Sequence, residues 1–219
     1  MNKRTKMITF GAMLAALCYV ITFFSSQMPP VVLFLKYDPK DIVLALSGLI
    51  WGPIMPLAVA PIVGVLEMFT YSTTGWIGCV MNIVSSYAFA LPAALIYRKK
   101  KSLTGAVIGL LSGGLLMITV MLLWNYLLTP LYMDGITREQ ISGMLIPMFL
   151  PFNALKGGLN AGFTFLLYKP VTTALRRSNL IERKESPNAP TKKPVFLWFA
   201  AGMLIVTCIL FILAWKGVI

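Results

Sequence analysis

Four stretches of this chain, residues 7–26, 76–97, 103–128 and 195–215, contain no charged side chain. About 20 consecutive apolar residues on a helix cross the hydrocarbon core of a bilayer. A fifth stretch, 145–168, is interrupted by one charge only, Lys156. Two shorter runs, 39–51 and 54–71, are parted by Gly52-Pro53, a pair that breaks regular structure. The sequence therefore predicts an all-α fold, a polytopic membrane helix bundle of six spans, with 195–215 as a seventh, C-terminal span. A hydrophobic share of 58% over 219 residues is more than a soluble domain can bury.

The punctuation between these runs is informative. Asp38 before Pro39 has the form of a helix start, a capping carboxylate followed by proline at the first helical position. Thr129-Pro130 is expected to end the fifth span. An outer loop, 131–143, then turns at Asp134-Gly135. Pro151 marks the start of the regular part of the sixth span. The first run follows a basic start, as a signal peptide does, but its exit, Ser25-Ser26-Gln27-Met28-Pro29-Pro30, has no small-x-small cleavage pattern, so it reads as a retained span. Residues 1–170 form one membrane domain, 171–194 a basic linker rich in charge and proline, and 195–215 the added helix. No internal repeat is visible.

Net charge is +12. Lys3, Arg4 and Lys6 precede the first span, Arg98, Lys99, Lys100 and Lys101 follow the fourth, and Lys169, Arg176, Arg177, Arg183, Lys184, Lys192 and Lys193 follow the sixth. All fall on one side if the N-terminus is cytoplasmic, which is the positive-inside pattern. The charge is thus explained by the lipid bilayer and calls for no nucleic acid. There is no histidine, and Cys18, Cys79 and Cys208 lie in three separate apolar runs without pair spacing. No metal site, cofactor site or catalytic constellation can be assembled from this inventory, so an enzyme is not expected. No Walker motif is present, so any active transport draws its energy from another subunit or an ion gradient.

The polar residues inside apolar runs carry the functional signal. A cation in a span costs at least about 2.5–3.5 kcal/mol on insertion scales, and such residues by default mark a pathway, partner or ligand. Asn153, Lys156 and Asn160 share one helix face by their spacing. The competing reading is a lysine snorkelling to the interface. Asp38 suits a helix cap, and Asp41, further inside, suits a ligand contact. Glu67 lies deep in the third run; it either pairs with Lys156 or Lys40 or snorkels toward Tyr71. Asn82 and Asn125 are amides within spans and need partners. Asn125, between Trp124 and Tyr126, suits a planar ligand with a hydrogen-bonding edge, or else bonds another helix beside an interfacial aromatic belt. Trp76 and Tyr132 belong to that belt. Ala12 and Ala16, with Gly11 and Ala15 as a second frame, permit close helix approach, either to a partner or within the bundle. With the N-terminus inside, Asp41, Asn125, Asn153 and Lys156 meet in the outer half around one cavity that the loop 27–38 can cover.

Several stretches together, Phe34-Leu35-Lys36-Tyr37-Asp38-Pro39-Lys40-Asp41-Ile42, Ser47-Gly48-Leu49-Ile50-Trp51-Gly52-Pro53, Leu91-Pro92-Ala93-Ala94-Leu95-Ile96-Tyr97, Trp124-Asn125-Tyr126 and Pro151-Phe152-Asn153-Ala154-Leu155-Lys156-Gly157, make residues 5–177 resemble an S component of the energy-coupling factor (ECF) vitamin transporters, most of all the riboflavin-specific type. The resemblance implies a subunit of the prokaryotic cell membrane that binds riboflavin from outside, then docks onto a transmembrane coupling subunit carrying two ATPases. It implies that Asn125, Asn153 and Lys156 contact the isoalloxazine, that the first outer loop, with Leu35, closes over the vitamin, and that Ala12 and Ala16 form the docking face. Asp41 and Lys36 are candidates for the ribityl chain. The segment 169–194 and the seventh run depart from the six-span pattern. The alternatives are the same fold serving another small vitamin or precursor, a membrane enzyme acting on lipid, or a structural helix bundle. The missing histidines count against the enzyme, and Lys156 with its amides against the structural bundle.

Overall fold

A computed structural model describes residues 2–31, 35–132, 135–178, 180 and 195–215. The described residues are helical almost throughout. The order is α1 (Lys3–Ser26), α2 (Lys40–Trp51), α3 (Ile54–Thr70), α4 (Gly75–Lys99), α5 (Leu103–Tyr132), α6 (Arg138–Met144), a π-helical turn (Leu145–Phe149), α7 (Leu150–Arg177) and α8 (Val195–Trp215). Three of them, over Arg4–Ser26, Gly75–Lys99 and Leu103–Leu131, are long and apolar enough to cross a membrane by length and composition alone. The 17-residue α3 is apolar but shorter.

The core draws on nearly every helix. Cys18 of α1, Leu44 of α2, Val63 of α3, Phe89 of α4 and Met117 of α5 are fully buried and belong to one cluster, which Ala161 of α7 and Ala201 of α8 join. Helices α4 and α5 make the most extensive pair. Gly109 and Gly113 explain it: a Cβ at either would run into the backbone of Ala93 or Phe89. Small residues one turn apart let backbones approach closely, the main source of helix association in lipid. The outside is apolar instead of charged. Phe69, Trp76, Leu115, Leu131 and Ile146 are each at least two-thirds exposed, as a lipid-facing surface requires.

Several boundaries differ from expectation. α5 does not stop at Thr129-Pro130 but runs on to Tyr132, because a proline in the last turn removes little more than one hydrogen bond. The loop 131–143 is not open: Thr137 and Gln140 form a capping box that starts α6, and Arg138 lies over the Tyr126 ring, 5.7 Å from its centroid. Asp134 of the expected turn lies outside the described residues, as does 181–194 of the expected linker. α7 continues through Pro170 to Arg177 and takes in the beginning of that linker. Its start agrees with the reading of Pro151, which sits in the first turn. α8 has the bounds read from the sequence.

Candidate functional site

At the end of the bundle where α1 finishes and α2, α4 and α7 begin, side chains enclose a cavity of about 390 Å³. That volume lies within the roughly 300–1,000 Å³ of small-molecule sites. Apolar walls come from Leu35, Met81, Met121 and Phe152. Its polar lining comes from Ser85 and Asn82 of α4, Asn125 of α5, Asn153 and Lys156 of α7, Glu67 of α3, Thr22 and Ser25 of α1, and Asp38 and Tyr71 outside the helices.

Lys156 is held by two partners. Its Nζ lies 3.2 Å from Asp41 Oδ2 and donates to Ser85 Oγ at 3.2 Å. An ammonium has three N–H donors, so one is left for a ligand in the cavity it lines. Asp41 is wholly buried, and its oxygens also accept from Ser86 Oγ at 2.5 Å and Asn160 Nδ2 at 3.4 Å. Tyr37 donates in turn to Asn160 Oδ1 at 2.9 Å. The expected polar stripe of α7 is therefore real in space, but its lower member, Asn160, serves Asp41 instead of the cavity.

The two amides are braced within their own helices. Asn153 Nδ2 donates to the Phe149 carbonyl at 2.8 Å, which leaves Oδ1 without a partner among the described residues. Asn125 Nδ2 donates to the Met121 carbonyl at 2.7 Å, and its Oδ1 accepts from Thr129 at 3.1 Å. Side chains bonded back to their own turn keep one orientation. Trp124 and Tyr126 do not flank the cavity as expected: Trp124 packs on the main core and Tyr126 faces Arg138.

A second ionic group contributes Asp38 and Glu67 to the lining. Lys40 Nζ bonds both Glu67 carboxylate oxygens at 2.7 Å and lies 2.8 Å from Asp38 Oδ2. Asn82 Nδ2 donates to Glu67 Oε2 at 3.1 Å, so Glu67 takes the Lys40 pairing of the two foreseen and does not snorkel. The Lys40 amide donates to Asp38 Oδ1 at 3.1 Å, so the Asp38 carboxylate does serve the start of α2, but from one residue earlier than expected: Pro39 is the N-cap and Lys40 the first helical residue. Burial alone drives the Asp38 carboxyl up, but the Lys40 charge, with Lys156 beyond it, outweighs this and holds it below the usual carboxylate range. Asp38 thus keeps its expected role at the start of α2 and lines the cavity as well, while Asp41, expected as a ligand contact, lies outside the lining as the anchor of Lys156.

Three residues of the site do not stand out in the sequence. Ser85 and Ser86, an adjacent hydroxyl pair in an apolar run, hold Lys156 and Asp41; the pair itself was the signal. Tyr71, just past α3, has a buried hydroxyl with no hydrogen bond of ordinary geometry, and it lines the cavity. Nothing in its sequence neighbourhood announces that. Lys36 also lines the cavity, and its ammonium donates to the Ser26 carbonyl at 2.6 Å. On α1 the two small frames separate. Gly11 and Ala15 turn inward, Gly11 toward Met55, while Ala12 and Ala16 are exposed.

The sequence and the helical fold of this chain have known counterparts. The family model for the substrate-specific component of ECF transporters matches residues 6–168, and the chain belongs to that family of membrane transport proteins. It is 28% identical over 182 residues to "Riboflavin transporter RibU" of Staphylococcus aureus (strain TCH60), covering 81% of this chain and 95% of the relative. It is 27% identical over 162 residues to "Riboflavin transporter FmnP" of Bacillus subtilis (strain 168), covering 70% and 85%. A solved S component of a bacterial ECF transporter superposes with a TM-score of 0.66 at 28% identity, over 80% of this chain and 100% of that one. The chain is accordingly a transporter component and not an enzyme.

Proposed function

We propose that this chain is the riboflavin-binding subunit of an ATP-driven ECF-type uptake transporter. The observation that carries the reading is the mixed lining of the cavity. Lys156 and Asn153 offer one ammonium donor and one free amide oxygen beside apolar walls. The pyrimidine edge of an isoalloxazine presents carbonyl acceptors and an N–H to such a pair, and its fused rings suit Leu35, Met81, Met121 and Phe152. Tyr71, Thr22, Ser25 and Glu67 add hydroxyl and carboxylate groups to the same lining, which suits a polyol. Riboflavin joins a planar ring to a ribityl chain, and both halves find their chemistry. Asn125, in the same lining, supports the ring end.

In this reading the chain crosses the cell membrane six times, with α8 as a seventh crossing, and the N-terminus is cytoplasmic. The cavity opens outward beneath the loop that carries Leu35 and Tyr37. The exposed Ala12 and Ala16 meet a transmembrane coupling subunit that carries two ATPases, since small residues allow the closest helix contact in lipid. Purified protein titrated with riboflavin should quench flavin fluorescence at one ligand per chain. A folded protein that leaves the fluorescence unchanged while binding a different vitamin would move the assignment to another S-component substrate.

A further inference from the structure

α8 lies beyond residues 6–168, the segment that the family model matches. It packs lengthwise on α7. Ile205 fills the notch at Gly162, where a Cβ would stand 2.9 Å from Ile205 Cγ1. Cys208 covers Gly158, its sulfur 3.2 Å from where a Cβ would be. Trp198 meets Phe165 edge to face, with ring centroids 6.5 Å apart. The paired positions rise along α8 as they fall along α7, so the helices are antiparallel and the C-terminal half of α8 reaches the cavity end of the bundle.

There Leu155, Leu159, Ile205 and Cys208 form a separate apolar cluster, and Tyr37 packs against it. Tyr37 is also part of the cavity wall. Its carbonyl accepts from Ser25 Oγ at 2.5 Å and its hydroxyl donates to Asn160 Oδ1 at 2.9 Å. Asn160 Nδ2 reaches Asp41 Oδ2 at 3.4 Å, the oxygen that pairs with Lys156. One loop residue therefore joins the appended helix, the end of α1 and the anchor of the ligand lysine.

We propose that α8 braces Tyr37, and that Tyr37 so held is a positioning residue for ligand capture, fixing the loop over the cavity and, through Asn160 and Asp41, the direction of the Lys156 ammonium. The inference rests on the flavin-binding reading above. Without α8 the Tyr37 ring would face lipid tails, which neither orient it nor restrain the loop. With α8 in place the ring is clamped and its hydroxyl is aimed. The brace acts on how long the vitamin stays, because it holds one residue of the cavity wall and, through Asn160 and Asp41, the aim of the ligand lysine.

Stopped-flow release of riboflavin from the full-length chain, followed by recovery of flavin fluorescence, tests this. Tyr37→Phe keeps the ring against α8 but loses the hydroxyl; release should quicken roughly three- to tenfold, the worth of one neutral hydrogen bond. The paired substitution I205A/C208A in α8 replaces no cavity-lining residue and should quicken release roughly threefold or more by loosening the cluster that holds Tyr37. Combined, the changes should fall short of the product of their separate factors, because both act on one joint. Met203→Ala, on the half-exposed face of α8, should release riboflavin at the wild-type rate. Should I205A/C208A not fold, Cys208→Ala alone reads the same coupling. An unchanged release rate in the α8 variants, or effects that multiply independently, overturns the brace while leaving the flavin reading intact. Failure of the wild-type chain to quench riboflavin at all overturns the flavin reading instead.

Discussion

Lys156 Nζ and Asp41 Oδ2 lie 3.2 Å apart below the cavity, one on α7 and the other on α2. The pair fixes where the ammonium points before any ligand arrives. A preset donor spares the ligand the entropy of ordering a long flexible side chain. Removing the two partners should therefore have different signatures. Lys156→Ala deletes the donor itself. Hydrogen bonds to charged groups are worth about 1.5–3 kcal/mol, and each 1.4 kcal/mol is about tenfold, so riboflavin should bind roughly ten- to hundredfold more weakly. Asp41→Asn keeps the donor but loosens its aim, and should weaken binding less while also lowering the melting temperature. Fluorescence titration and thermal unfolding of both variants check this; wild-type affinity in folded Lys156→Ala would leave that lysine a packing role alone.

The Lys40 cluster makes a stability prediction. Lys40 is 1% exposed and lies between Glu67 and Asp38. Lys40→Met would leave two carboxylates facing each other without a cation. Breaking a buried ion pair from one side costs about 3–5 kcal/mol. The double change Lys40→Met with Glu67→Gln should recover part of that loss, because it removes the uncompensated charge. Thermal unfolding of the single and double variants measures the difference. A double variant no more stable than the single one would show that Asn82 and the surrounding packing, and not charge balance, set the role of Glu67.

How much of this was legible in the sequence depends on the scale of the question. The helical state of 195–215 was legible because an uninterrupted apolar run of that length has few other ways to satisfy its backbone in lipid. α5 overran Pro130 because packing on α4 and the turn into α6 outweigh a weak local stop. At the site, Asn125, Asn153 and Lys156 were visible because a polar group in an apolar run is anomalous wherever it points. That Asp38 lines the cavity and Asp41 does not was less visible. It turns on how the chain enters α2 and on the neighbours that take up Asp41, Ser86 of α4 and Asn160 of α7. Tyr71 was illegible for a similar reason: its meaning lies in a hydroxyl left unpaired, which no spacing encodes.

Topology is testable with the native cysteines in place, since Cys18, Cys79 and Cys208 are buried. Ile136→Cys, before α6, should react with a membrane-impermeant maleimide in intact cells. Lys100→Cys, between α4 and α5, should react only after permeabilisation, as the basic clusters require. Labelling of both positions from outside would reverse or break the proposed orientation.

The face of α1 that turns away from the bundle gives a separation of binding from transport. Ala12 and Ala16 are exposed while Ala15 is buried. Ala12→Leu or Ala16→Leu should leave riboflavin affinity within about twofold of wild type, since surface changes away from a site are usually within about 0.5 kcal/mol. Uptake by cells should fall strongly, because a bulky side chain holds a partner helix off. Lost affinity with intact assembly would show that this face serves the cavity and not a partner.

Tyr71 should show opposite signs in the free and the loaded protein. Its hydroxyl is buried without a hydrogen bond of ordinary geometry and lines the cavity. An unpaired buried polar group costs roughly 1–3 kcal/mol, so Tyr71→Phe should leave the ligand-free melting temperature unchanged or raise it. If the hydroxyl meets the ribityl chain, the same substitution should weaken riboflavin binding by about 1 kcal/mol, roughly fivefold. Lumiflavin, with a methyl group in place of the ribityl chain, should bind Tyr71→Phe and wild type alike. Equal losses for both flavins would place the hydroxyl against the ring, and no loss for either would remove Tyr71 from the site and leave its unpaired hydroxyl a matter of folding alone.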